Sequence, residues 1–245
     1  MELNKTAIIV PCYNEALRLK KDAFLSFAQI NPHIDLWLIN DGSLDGTLAL
    51  LQELNRSMPG NIFFHDLPGN VGKAEAIRQG VLLLGKEHRY AYIGFLDADL
   101  SAPLEEALPL ISMIMARQLK IVAGARVKLI GKTIHRSAAR HYFGRIFATY
   151  QDTLLSLGNY DTQCGLKIFE NSFAMELFRS SFVSNWFFDI ELFVRAKKIL
   201  GRELYDTLVA EVPLNEWKEV KGSKLKMTDF LKAPFEVLKI YREYK

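Results

Sequence analysis

The stretch Phe95-Leu96-Asp97-Ala98-Asp99-Leu100-Ser101-Ala102-Pro103 constrains the fold more than any other: an apolar run stops at two carboxylates one residue apart, and a helix breaker follows. Ala91 to Leu96 reads as a buried strand, and Pro103 with Glu105 and Glu106 reads as the first turn of a helix. The carboxylates then stand at the carboxyl end of a strand. In an open α/β sheet that edge is where ligands bind, and two hard oxygen donors held there suit Mg²⁺ or Mn²⁺ carrying substrate phosphates. A lone D-x-D can equally be a helix cap beside a solvated side chain, so the other strand ends have to decide.

Short apolar runs alternate with amphipathic stretches of helix length. Thr6 to Val10, Leu36 to Asn40, Ile62 to His65, Ala91 to Leu96 and Ile121 to Ala125 read as strands, which predicts an α/β fold with a mostly parallel sheet covered by helices. The order changes after Lys128. A helix is expected from Ser137 to Ser156, a polar turn at Gly158-Asn159-Tyr160-Asp161, a helix from Phe188 to Leu200, a strand from Glu203 to Val212, and a last helix from Thr228 to Tyr244. The expected organisation is one domain over residues 1–227, with a nucleotide-binding half (about 1–126) and an acceptor half (about 127–227), followed by a C-terminal amphipathic helix over 228–245.

With 245 residues and 49% hydrophobic composition the chain can bury a substantial core. A formal charge of +3 is too small to argue for nucleic acid. Two cysteines, Cys12 and Cys164, make neither a disulfide framework nor a zinc spacing. Met1 to Lys5 leads into a strand without the apolar core of a signal peptide, and no window approaches the roughly 20 apolar residues of a spanning helix. The expected location is cytoplasmic.

The strand ends limit the nucleotide chemistry. Pro11-Cys12-Tyr13-Asn14-Glu15 has neither the glycines of a dinucleotide fingerprint nor the Gly-Lys-Ser/Thr of a P-loop. Asn40-Asp41-Gly42-Ser43-Leu44-Asp45-Gly46-Thr47 is a tight turn in which Asp45 can cap a helix, and Asp41 either accepts from a base N–H or simply forms the turn. Asn70-Val71-Gly72-Lys73 supplies a lysine at a helix start, for a ligand or for solvent. Four successive strand ends thus carry polar, turn-rich signatures on one expected edge. Arg126 closes the fifth strand, and Arg136 and Arg140 open the next helix, where a phosphate could be gripped; Lys221 and Lys224 around Ser223 offer a second clamp.

Together, Val10-Pro11-Cys12-Tyr13-Asn14-Glu15, Asn40-Asp41-Gly42-Ser43, Asn70-Val71-Gly72-Lys73 and Asp97-Ala98-Asp99 resemble the inverting family-2 glycosyltransferases of the GT-A fold. Asp161-Thr162-Gln163-Cys164-Gly165-Leu166-Lys167, Trp186-Phe187-Phe188-Asp189-Ile190-Glu191-Leu192, Val212-Pro213-Leu214-Asn215-Glu216-Trp217 and Gly222-Ser223-Lys224 are similar to the branch that glycosylates polyprenyl phosphates. The resemblance implies that Pro11, Tyr13, Glu15 and Asp41 border the base and ribose, that Asp97 lies near the ribose and diphosphate, and that Asp99 binds Mg²⁺ or Mn²⁺. Lys73 and Gln163 join the nucleotide-sugar set, Asp189 faces the donor sugar or acceptor, and Arg126, Arg136, Lys221, Ser223 and Lys224 form the acceptor-phosphate set.

The implied reaction moves a hexose, with UDP-glucose the favoured donor, to a polyprenyl or dolichyl monophosphate with inversion. GDP-mannose as donor, a saccharide acceptor, or a nucleotide-sugar binding protein without turnover are the alternatives. The departing diphosphate would be stabilised by the cation, while a lipid monophosphate is already anionic and needs positioning rather than a general base. A lipid acceptor also implies a membrane surface as partner. The expected contact is the stripe Phe230, Leu231, Val237, Leu238 and Tyr241, with the basic loop at Lys218, Lys221, Lys224 and Lys226, docked on the cytoplasmic leaflet.

Overall fold

The computed structural model describes residues 5–87, 89–135, 138–220 and 227–245. In chain order they form β1 (Lys5–Cys12), α1 (Lys21–Ile30), β2 (Ile34–Asn40), α2 (Thr47–Ser57), β3 (Ile62–Asp66), α3 (Lys73–Leu84), β4 (Tyr90–Leu96), a 3₁₀ turn (Leu104–Glu106) running into α4 (Ala107–Arg117), and β5 (Ile121–Ala125). There follow β6 (Thr133–His135), α5 (Ala138–Leu155), β7 (Leu166–Glu170), α6 (Asn171–Leu177), α7 (Phe188–Leu200), α8 (Arg202–Leu208), β8 (Val209–Pro213), β9 (Glu216–Lys218) and α9 (Met227–Tyr244).

Seven strands make one sheet in the order β3-β2-β1-β4-β7-β5-β8, and β6 and β9 make a separate parallel pair. All neighbours in the large sheet run parallel except at β7, which is antiparallel to both β4 and β5. β1 shows why its run is apolar throughout: Ala7 and Ile9 enter the core on one face of the sheet, while Ile8, Val10 and Cys12 enter the core on the other. A strand covered on both faces needs both of its alternating sets apolar. Helices α3, α6, α7 and α9 cover the first face and α1, α2 and α4 the second. The five strands expected from periodicity are all present, lengthened by up to three residues. This is the GT-A type of mostly parallel sheet between helix layers.

Two expectations are corrected. Glu203 to Val212 is not one strand: the chain restarts after Gly201 as α8, which buries Tyr205 and lets its hydroxyl donate to Asn159 Oδ1 at 2.5 Å, and only Val209 onward pairs with β5. In the C-terminal helix the stripe expected to face lipid is turned inward at Val237. Ala233, Val237 and Ile240 are buried in the core, and Tyr244 donates to Glu191 Oε1 at 2.7 Å while accepting from Arg195 Nε at 2.8 Å. Val237 therefore packs inward, and Leu238 and Tyr241 are half-buried; the side chains of Phe230 and Leu231 and residues Lys221, Lys224 and Lys226 lie outside the described residues. The helix runs through Pro234. Among the described residues no helix is long and apolar enough to cross a membrane.

Candidate functional site

Parallel strands deliver their carboxyl ends to one edge, and the loops there are laced together by side chains. After β1, Asn14 N–H donates to Ser43 Oγ at 3.0 Å and Asn14 Oδ1 accepts from Leu44 N–H at 2.9 Å. Glu15 N–H donates to Thr47 Oγ1 at 2.8 Å, and Asp45 Oδ1 accepts from Thr47 N–H at 2.9 Å, but the N-cap of α2 is Gly46, so Asp45 braces the turn ahead of the helix instead of capping it as expected. Glu15 is buried with its carboxylate on Arg18, at 2.9 Å from Nε and 2.5 Å from a terminal guanidinium nitrogen. Pro11 and Tyr13 are half-buried beside it.

Asp41 is buried at the end of β2, and its carboxylate accepts from Val71 N–H at 2.7 Å, Gly72 N–H at 3.0 Å and Asn70 Nδ2 at 3.0 Å. It holds the loop that launches α3. The neighbouring Gly42, at φ +62, lies against that loop so closely that a Cβ would overlap the backbone of Gly69 and Asn70. This fixed loop sets the position of Lys73, the first residue of α3.

Lys73 Nζ lies 2.5 Å from Asp97 Oδ1 and 5.7 Å from the centre of the Phe188 ring. Removal from water opposes the Lys73 charge, but Asp97, Asp189 and Asp99 outweigh it and hold the ammonium pKa above its ordinary value. Asp97 and Asp99 follow β4 directly, and Asp99 Oδ1 accepts from Ser101 N–H at 2.9 Å, leaving its second oxygen for another partner. Against Asp97 stands Gly165, where any Cβ would overlap the Asp97 carboxylate, so the specific Gln163-Cys164-Gly165 stretch is a close approach of backbone to acid. Asp97 Oδ1 is buried with the Lys73 ammonium as its partner, whereas the buried Gln163 Nε2 has no hydrogen bond among the described residues. Buried polar atoms are ordinarily satisfied, so the orphan Gln163 Nε2 beside the acids of this strand end marks a ligand position.

Asp189, at the start of α7, is buried and takes Lys167 Nζ at 2.5 Å. Lys167 is fully buried between the Phe95 and Phe193 rings and also donates to Cys164 carbonyl at 2.7 Å. Sequence reasoning left Lys167 out of the site; its signal was a lysine inside the apolar run of β7. Arg126 leaves β5 with its guanidinium engaged by Asp161, Nε and a terminal nitrogen each at 2.7 Å, and it lies 5.4 Å from the Trp217 ring centre. Burial disfavours that charge, but Asp161 reverses the balance and raises the Arg126 pKa. Glu211 of β8 in turn accepts from the Tyr160 and Asp161 N–H groups at 2.7 and 2.8 Å. Cys164 is buried and its thiol is pushed up to about 12, first by desolvation and then by Asp161, so it packs rather than reacts. Arg136, Lys221, Ser223 and Lys224 lie outside the described residues.

The edge therefore unites Lys73, Asp97, Asp99, Gln163 and Gly165, with Asp189 and Lys167 behind them and Arg126 alongside. No group of three or more His, Cys, Asp or Glu is assembled for a metal among the described residues. The donor set fits a cation that takes one or two carboxylate oxygens from the protein and the rest from phosphate and water, the habit of Mg²⁺ and of Mn²⁺ in oxygen sites.

Comparison with known proteins agrees. A sequence model of glycosyl transferase family 2 matches residues 7–183. The chain is 31% identical over 233 residues to a dolichyl-phosphate beta-glucosyltransferase of Dictyostelium discoideum, covering 89% of this chain and 68% of that one. It is 29% identical to the Homo sapiens protein of the same description, covering 89% and 69%. Among solved structures, glucosyl-3-phosphoglycerate synthase from Mycobacterium tuberculosis superposes with a TM-score of 0.69 at 14% identity, covering 98% of this chain and 80% of that one. A complex of that enzyme with Mn²⁺, UDP-glucose and phosphoglyceric acid gives 0.67 at 15%, covering 98% and 79%. These structures share the fold, and the sequence matches assign the family: the chain belongs to glycosyl transferase family 2.

Proposed function

We propose that the protein transfers glucose from UDP-glucose to a polyprenyl monophosphate of the dolichyl type, giving the β-linked lipid phosphosugar with inversion. The observation that carries the reading is the buried Gln163 Nε2, which has no hydrogen bond, beside the Lys73–Asp97 ion pair and Asp99 at the end of β4. The glucose donor and lipid acceptor are supported by relatives described as dolichyl-phosphate beta-glucosyltransferases at about 30% identity. UDP-glucose is α-linked, so a β product requires one displacement from the opposite face. A monophosphate acceptor brings its own anionic oxygen and needs no protein base.

In this reading Asp99, with Asp97 beside it, holds the Mg²⁺ or Mn²⁺, which would neutralise charge on the departing diphosphate. Lys73, kept protonated by its acidic neighbours, exchanges part of its contact with Asp97 for a donor phosphate oxygen. Gln163 Nε2 donates to a sugar hydroxyl or phosphate oxygen. Pro11, Tyr13 and Glu15 border the base, with Asp41 fixing the loop opposite. Asp189, oriented by Lys167, faces the sugar and the acceptor. Arg126, with Arg136, Lys221, Ser223 and Lys224, receives the acceptor phosphate. Residues 1–126 supply the donor side and 127–227 the acceptor side, working at a membrane surface on the cytoplasmic face.

The test is transfer of label from UDP-[¹⁴C]glucose to dolichyl phosphate with Mg²⁺ or Mn²⁺, with UDP-galactose, UDP-N-acetylglucosamine and GDP-mannose as competing donors. An acid-labile, lipid-extractable product from UDP-glucose supports the reading. Transfer from GDP-mannose alone, or none to lipid phosphate, overturns it.

A further inference from the structure

The loop between β5 and β6 has a surface that the proposed chemistry does not use. Lys128, Leu129, Ile130 and Gly131 are exposed in succession, Ile130 completely and Leu129 to 48%. The tip is built: Lys132 N–H donates to Leu129 carbonyl at 3.1 Å, Thr133 N–H donates to Asn215 carbonyl at 2.7 Å, and Lys132 Nζ bonds Asn215 Oδ1. Asn215 is itself anchored, because buried Glu106 accepts the N–H groups of Asn215 and Glu216, each at 2.9 Å. Two adjacent aliphatic side chains are thus held out on a fixed support.

The sequence around them is basic. From Ala107 to Gln151 the sequence has eight Lys or Arg and no Asp or Glu, and Lys128 and Lys132 flank the tip. The acids nearest along β9 are Glu216, which pairs with Lys218 at 2.7 Å, and Glu219. The tip also belongs to the edge of the candidate site. It follows Arg126 directly, Trp217 of β9 lies under Arg126, and Lys218 N–H donates to Ser101 carbonyl at 2.8 Å, two residues past Asp99.

We propose that Leu129 and Ile130, framed by Lys128 and Lys132, are an insertion tip that seats this edge of the protein on an anionic lipid bilayer. Aliphatic side chains enter the boundary between headgroups and acyl chains, and lysines at their flanks remain among the phosphates. A protein partner fits less well, since protein interfaces centre on aromatic and Arg anchors and are depleted in Lys. The inference draws its purpose from the lipid-phosphate reading, because an acceptor whose chain stays in the bilayer has to reach Asp99 from this edge.

The test uses the full chain and a Leu129→Ser, Ile130→Ser double variant, with thermal unfolding as the check on folding. Sedimentation is measured with vesicles of phosphatidylcholine plus phosphatidylglycerol and of phosphatidylcholine alone. The wild type should bind the anionic vesicles, with affinity falling as salt rises, and the variant should bind about tenfold or more weakly. Transfer to a short, water-soluble polyprenyl phosphate should be unchanged by the double substitution, while transfer to a long-chain acceptor in vesicles falls. Equal vesicle binding by both proteins, or none by the wild type, overturns the tip. Failure of the lipid-acceptor reading is distinct: the wild type would transfer to neither acceptor, while vesicle binding would still report on Leu129 and Ile130.

Discussion

At the scale of single residues the candidate site depends on paired charges that differ in burial, and substitutions should separate them. Asp99 is only partly buried and makes one hydrogen bond, to Ser101 N–H, that Asn can keep. Asp99→Asn should therefore leave unfolding within about 0.5 kcal/mol of wild type and reduce kcat at least about 100-fold, as expected for loss of charge stabilisation in the transition state. Near-normal turnover at ordinary Mn²⁺ would remove Asp99 from the metal role. Lys167→Met is the opposite case. It strands the buried Asp189 carboxylate, which should cost about 3–5 kcal/mol in urea denaturation, whereas Lys167→Met with Asp189→Leu should recover most of that loss. If the double variant is no more stable than the single one, the ion pair is not what Lys167 provides. Asp97, Asp99 and Lys73 were legible in the sequence because each terminates or opens an element. Their pairings were not: Lys73 with Asp97, Lys167 with Asp189 and Arg126 with Asp161 join residues 22 to 35 positions apart, and no local pattern encodes which cation meets which acid.

At the scale of elements, legibility followed burial pattern. β1, β2, β4 and β5 each contain an apolar run buried on both faces, and α7 is bounded where its periodicity begins and ends. β7 escaped because Leu166–Glu170 is short, has Lys167 at its second position, and owes its place to an antiparallel insertion between β4 and β5 that sequence periodicity does not carry. For α9 the amphipathic pattern was legible, but an apolar stripe beside basic residues reads alike for a membrane and for a core. The deciding contact is Tyr244 with Glu191 and Arg195. The Tyr244 pKa is raised from 10.0 to about 12, by desolvation first and by its bond to Glu191 second. A phenol whose folded pKa lies above its unfolded value contributes stability that is complete below about pH 10 and is lost as pH rises through about 12. Subtracting the thermal-unfolding profile of Tyr244→Phe from that of wild type should isolate a stabilising contribution that disappears across this alkaline window. A difference independent of pH between 9 and 12 would show that the hydroxyl is not coupled to α9 docking.

At the scale of the whole molecule, the proposed donor half (1–126) and acceptor half (127–227) share one sheet. β4, which ends at Asp97 and Asp99, pairs on one side with β1 and on the other with β7, and β5, which ends at Arg126, has only β7 and β8 as neighbours. β7 and β8 both come from beyond residue 126, so within the first half β4 lacks one of its two partners and β5 lacks both. A fragment of residues 1–126 would keep β3, β2, β1 and β4 in register but leave β5 with no strand to pair with. The outer edge of β4 would be open and the Phe95 face would lack Phe169 and Phe188, which now lie 6.0 and 5.8 Å from it between ring centres. An uncovered apolar edge strand is a template for association. The fragment should therefore aggregate or melt without cooperativity in circular dichroism, and UDP with Mn²⁺ should not raise its Tm, whereas the full chain should show one transition that UDP with Mn²⁺ moves upward. A monomeric fragment with a cooperative transition and UDP-dependent stabilisation would show that the donor half folds and binds by itself, and that the shared sheet serves only to bring the acceptor side to it.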